Sequence, residues 1–164
     1  MRHLLVMAGL LFCGLVTPTS ALDTVTAKDK AEFRALEVKL WETWNKRLKP
    51  SDVRSYYSQK PDNLYFDFSP LKFVGWEEYE RTAAQALAGG GYAETKINDD
   101  FTVIKQGDLV VVAFTFEVKF FRTQGVPSTM TGRETDVWTR ENGRWVVLHQ
   151  HMSTVSNMGP PPAK

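Results

Sequence analysis

The sequence predicts an α+β layer fold: helices in the first half packed on a strongly twisted antiparallel sheet formed by the second, which curls around them and leaves a pocket at its open end. Three observations predict it. Apolar residues recur at helical spacing between Thr26 and Leu48 and a second helical stretch runs from Trp76 to Ala88. Beyond the triple glycine Gly89-Gly90-Gly91, runs rich in Val, Phe, Thr and Trp are separated by turn signals at Gln106-Gly107-Asp108, Thr123-Gln124-Gly125 and Glu141-Asn142-Gly143. Finally, 164 residues with 43% apolar content suffice for one well-filled core and not for two.

The first 21 residues stand apart from the fold. Arg2 and His3 precede an apolar run from Leu4 to Val16, followed by Thr17-Pro18-Thr19-Ser20-Ala21. That order is expected of a secretory signal peptide cut after Ala21, and it predicts a periplasmic or secreted protein with no membrane span after cleavage. Cleavage removes Cys13, the only cysteine, and one of 20 basic residues, which leaves the 19 acidic residues balanced. Disulfides, thiolate nucleophiles and cysteine-bound metals are thereby excluded from the mature chain. A formal charge of +1 gives no electrostatic grip on a phosphate backbone, which argues against nucleic acid as a partner.

The expected domain covers 22–157. Phe33, Leu36, Leu40, Trp44 and Leu48, with Trp41 beside them, form one stripe of a helix capped by Thr26 and Asp29 and stopped by Pro50. Ser51 can cap a short second helix through Tyr56 and Tyr57. Asn63 to Phe68 reads as a strand and Ser69 to Gly75 as a loop, before the helix from Trp76 that the glycines end. On the long strand after Gly107, Val110, Val112, Phe114, Phe116, Val118 and Phe120 share a face that is either core or a dimer seam. The tail 158–164, rich in proline, is expected to be disordered.

Strand alternation selects the candidate site. Trp145, Val147, His149, His151 and Ser153 fall on one face, and the size of Trp145 suggests that this face points inward. For His149 and His151 the readings are structural hydrogen bonding, acid–base or ligand contact, and a metal site that would need Asp67 as third ligand; no metal and no cofactor are expected. Arg133 and Thr135 share a face of the neighbouring strand, where Arg133 would hold an anionic or carbonyl oxygen or else extend into solvent. Asp67, after Tyr65-Phe66, is either a partly desolvated base or the cap of the turn to Pro70. Tyr65, Trp76 and Ser153 complete the expected binding residues, although aromatics at helical spacing are commonly core.

The loop from Asp67 to Gly75-Trp76, the Gly132-Arg133-x-Thr135 strand and the ending Gly143-Arg144-Trp145-x-Val147-x-His149-x-His151-x-Ser153 resemble SnoaL-like proteins, of the superfamily that includes nuclear transport factor 2 and ketosteroid isomerase. The resemblance spans about Ala27 to Val155. It implies a cone-shaped fold with a small-molecule pocket, and a base at Asp67 where the isomerase branch carries its base-bearing loop. That branch pairs an Asp base with a Tyr and a protonated Asp, carboxyls whose surroundings set them to different tasks. No second acid is evident among the positions expected to face inward. The ending His151-x-Ser153 is similar to metal-independent iota-class carbonic anhydrases, which implies that activity as an alternative. The fold also implies a third reading, a non-enzymatic homodimeric binding or assembly domain using the outer face of the sheet.

Overall fold

The computed structural model describes residues 21–68 and 70–154. The expected signal peptide, apart from Ala21, and the expected tail lie outside the described residues. Helix α1 spans Ala27–Asn45 and opens with a reciprocal cap: the Asp29 amide donates to Thr26 Oγ1 (3.1 Å), and the Thr26 amide donates to Asp29 Oδ2 (2.9 Å). Two short 3₁₀ turns, Pro50–Asp52 and Arg54–Tyr56, replace the expected second helix. Strand β1, Leu64–Phe66, and the two-residue β2, Phe73–Val74, lead to helix α2, Trp76–Ala86. Then follow β3 (Gly91–Ile97), β4 (Thr102–Gln106), β5 (Leu109–Arg122), β6 (Ser128–Glu141) and β7 (Arg144–Thr154).

These strands form one sheet in the order β2-β1-β7-β6-β5-β3, with β4 also on β5. Neighbours are antiparallel except β1 and β7, which run parallel, with Tyr65 opposite Gln150 and Phe66 opposite His151. The sheet is therefore mixed rather than wholly antiparallel. Part of the segment expected as loop is β2, because Phe73 buries completely when it pairs with Tyr65. The apolar face of β5 is core: Val110, Val112, Phe114, Phe116 and Val118 are all buried beneath α1 and its neighbours.

The turns behave as their composition demands. Asn142 (φ 51°) and Gly143 (φ 77°) take left-handed conformations in the β6–β7 hairpin. Gly91 is needed twice over, since its φ is 127° and a Cβ there would lie 2.2 Å from the Phe121 carbonyl oxygen.

One irregularity decides which side chains enter the cone. Val137 pairs with His149, but Trp138 pairs with Val147, so Leu148 is an extra residue in β7. Val147 faces the core; after the bulge the inward positions are Gln150 and Met152, at 2% and 4% exposure. His149, His151 and Ser153, expected inside with Trp145, stand on the outer face instead. Their partners across the ladder, Val137, Thr135 and Arg133, go out with them, while Glu134, Asp136 and Trp138 turn in.

Candidate functional site

A cavity of about 230 Å³ lies between α1, α2 and the concave face of the sheet. Trp41 and Trp44 from α1, Ala83 and Leu87 from the α2 end, Phe73 and Met152 give it a mainly apolar lining. Two charged residues also line it, Asp67 and Arg122. Asp67 follows the last residue of β1, on the inward side after Tyr65 and the outward Phe66. Its Oδ2 accepts a hydrogen bond from the Tyr79 hydroxyl on α2 (3.0 Å), and its Oδ1 accepts from the Phe68 amide (2.6 Å). Burial pushes the Asp67 carboxyl above the ordinary carboxylate range, and these two hydrogen bonds oppose the shift. The buried Tyr79 hydroxyl moves further from ionisation, because burial and the Asp67 charge both disfavour a phenolate. Tyr79 is therefore a donor that fixes the carboxylate.

Behind the Trp41 wall is a second set of acids. Glu37 on α1 and Glu134 and Asp136 on β6 are completely buried, with one oxygen of each within 4.8 Å of the others. Trp41 Nε1 donates to Glu134 Oε2 (2.9 Å) and Gln150 Nε2 to Glu134 Oε1 (2.6 Å). Trp138 Nε1 donates to Glu37 Oε1 (2.6 Å), and the Tyr57 hydroxyl donates to Gln150 Oε1 (3.2 Å). Among the described residues, Glu37 Oε2 and Asp136 Oδ1 have no hydrogen-bond partner. Burial raises all three carboxyls well above their ordinary values, reinforced for each by another acid of the cluster. The upward shift favours the protonated forms, and a protonated carboxyl can donate where a carboxylate cannot. The same three acids are the described residues with the spacing to hold a divalent cation.

Of the residues singled out from sequence, Asp67 lines the cavity. Tyr65 is fully buried in the core, its hydroxyl donating to the Ser58 carbonyl (3.0 Å). Trp76 is equally buried, stacked on Tyr57 at 4.4 Å with Nε1 bonded to Glu80 (2.6 Å). On the outer face, His149 Nδ1 donates to the Leu64 carbonyl (2.7 Å), and both His149 and His151 meet the Phe66 ring edge to face at 5.5 Å. Thr135 sits opposite His151, and Arg133 Nε donates to Ser153 Oγ (3.0 Å), so this arginine is spent on the surface of the sheet. His151 and Asp67 do share a second, open concavity of about 610 Å³ at the end of β1, with Phe66, Phe68 and Leu71.

Glu134 and Asp136 are inward acids that the sequence reading did not place, and they lie behind the cavity wall rather than in its lining. Two signals pointed to the cluster. Glu37 interrupts the apolar stripe one turn after Phe33, and Trp138 shares the alternation of Glu134 and Asp136, so the size argument applied to Trp145 applies better to the acid face.

Residues 39–157 match the SnoaL-like domain family. The chain belongs to it. No curated protein matches the sequence. Among solved structures, this SnoaL-like domain superimposes on a nuclear transport factor 2-like (NTF2-like) superfamily protein from Salmonella enterica serovar Typhimurium, with a TM-score of 0.71 at 19% identity, covering 85% of this chain and all of that one. The association domain of C. elegans CaMKII gives 0.61 at 20% identity, over 77% of this chain and 96% of the other. A candidate dehydratase of the NTF2-like family from Streptomyces avermitilis gives 0.67 at 17%, over 79% and 97%. At such identities the likeness establishes the NTF2-like fold.

Proposed function

We propose that this SnoaL-like domain binds a small, mainly apolar molecule bearing a hydroxyl or carbonyl group, and that Asp67 acts on that group as proton acceptor. The observation that carries the reading is a carboxylate, fixed by Tyr79, in the wall of a mainly apolar cavity. A carboxyl shifted upward by burial is a better base near neutral pH than one in water, and the apolar walls keep competing water away. The dehydratase description of one structural neighbour accords with acid–base chemistry in such a pocket. The volume is below the range of about 300–1,000 Å³ common for drug-sized ligands, which favours a molecule of one or two rings.

Titration with 2-naphthol tests this, because Trp41 and Trp44 line the cavity and report occupancy by fluorescence. Saturable binding is expected, lost in Ala83→Trp, which fills the space, and weakened about three- to tenfold in Asp67→Asn, which replaces a charge-assisted hydrogen bond with a neutral one. Binding that survives Ala83→Trp unchanged, or no binding at all, overturns the reading.

Export and self-association belong to the same proposal. The order of residues in 1–21 supports secretion, checked by whether the exported protein begins at Leu22. For a homodimer through the outer sheet face, sedimentation should give twice the monomer mass.

A further inference from the structure

The cavity has a second polar feature, of opposite charge to Asp67. Arg122, the exposed last residue of β5, lines the same space with its guanidinium over the Phe120 ring, 5.8 Å from the centroid. Arg34, Arg47 and Arg54 each sit within 3.3 Å of a carboxylate, whereas no carboxylate among the described residues comes within ion-pair distance of Arg122. It does not pair with Asp67 either, so the two charges hold separate parts of one apolar chamber. The backbone fixes the site of the arginine firmly: Arg122 is paired across the sheet with Gly91, a position where no larger residue fits. The guanidinium keeps this cation–π contact with Phe120, and no carboxylate among the described residues takes up its N–H edges, whose planar fork suits a carboxylate.

From this arrangement we infer that the ligand is an anion: a small aromatic or alicyclic carboxylic acid, its carboxylate on Arg122, its ring body between Trp41, Phe73 and Met152, and a hydroxyl or keto group at Asp67. The inference rests on the proposed function and narrows it to a substrate class. It assigns to Arg122 the anion-holding role that the sequence suggested for Arg133. Discrimination follows from charge at both ends. A cationic amine of the same shape would meet the guanidinium with like charge, and a dicarboxylate would place its second charge against Asp67.

Two probes that differ only in the carboxylate separate the inference from the reading beneath it. 6-Hydroxy-2-naphthoate is expected to bind at least about tenfold more tightly than 2-naphthol, the margin of one charge-assisted carboxylate contact. Arg122→Gln should erase that margin by weakening the naphthoate alone, Arg122→Lys should keep part of it, and Arg144→Gln, on the exposed first position of β7, should leave it intact. Higher ionic strength should shrink the margin without affecting 2-naphthol. If 2-naphthol binds and is blocked by Ala83→Trp, yet the naphthoate binds no better or keeps its margin in Arg122→Gln, the anionic class is wrong and the pocket stands. If neither compound binds, pocket and inference fall together.

Discussion

Asp136→Asn should flatten the pH dependence of stability, because Glu37, Glu134 and Asp136 are buried without a cation among the described residues to neutralise them. The groups that face the cluster are Trp41, Trp138, Gln150 and Tyr57, all neutral donors or relays, and the nearby Asp67 only adds negative potential. At a separation of 4.8 Å or less, two ionised members repel by roughly 3.5 kcal/mol at an effective dielectric of about 20. That repulsion adds to burial in holding the cluster more protonated in the folded state than in the unfolded chain. In the unfolded chain the same carboxyls ionise near their ordinary values of 3.8 and 4.5. Raised folded-state values make the stabilisation complete below the unfolded range and progressively lost as pH climbs. Each proton that the folded state retains lowers unfolding free energy by about 1.4 kcal/mol per pH unit. Asn at position 136 cannot ionise and can donate to Glu37, removing one proton from the count and about 1.4 kcal/mol per pH unit from the slope. Urea unfolding followed by tryptophan fluorescence, from about pH 6 to pH 9, measures both slopes under conditions where the linkage is largest. Parallel profiles for wild type and variant would refute the protonated cluster. So would stability that rises with pH and collapses in EDTA, the behaviour expected if a divalent cation neutralised the acids.

Further perturbations separate core from site. Gly91→Ala should cost about 3 kcal/mol or more, combining a strained φ with a clash against rigid backbone, and thermal melting will read it. Trp76→Ala should cost about 3–5 kcal/mol as a buried aromatic, while Tyr65→Phe should cost about 1 kcal/mol for its bond to Ser58 and leave 2-naphthol affinity unchanged; altered affinity would return Tyr65 to the site. His151→Ala, on an exposed position, should shift stability by no more than about 0.5 kcal/mol and leave cavity binding as it was, both checked in the same titration.

The elements were legible because each depends on local rules. The Thr26 and Asp29 cap and the three turns among the long strands act within a few residues and stand where the sequence signals put them, while α2 ends at Ala86 with Leu87 as its cap, two residues before the glycines expected to end it. The site was less legible because it depends on parity, which one residue can reverse. Reading β7 as regular carries the inward assignment from Val147 to His149, His151 and Ser153. Leu148, inserted against a single step of β6, sends those three out and brings Gln150 in. Nothing in the local composition around Val147-Leu148-His149 marks a bulge, but the buried acids do make sense of it. Gln150 is the residue that donates to Glu134 and accepts from Tyr57, and with regular alternation its amide would lie on the opposite side of the sheet from both. Glu134 would then keep only the Trp41 donor beside Asp136 on the same buried face of β6, an arrangement that costs more than the interrupted ladder at one position. The bulge and the acid cluster are thus a single structural solution, and the polar residues the cone needs inside select a register that the hydrophobic pattern of β7 does not.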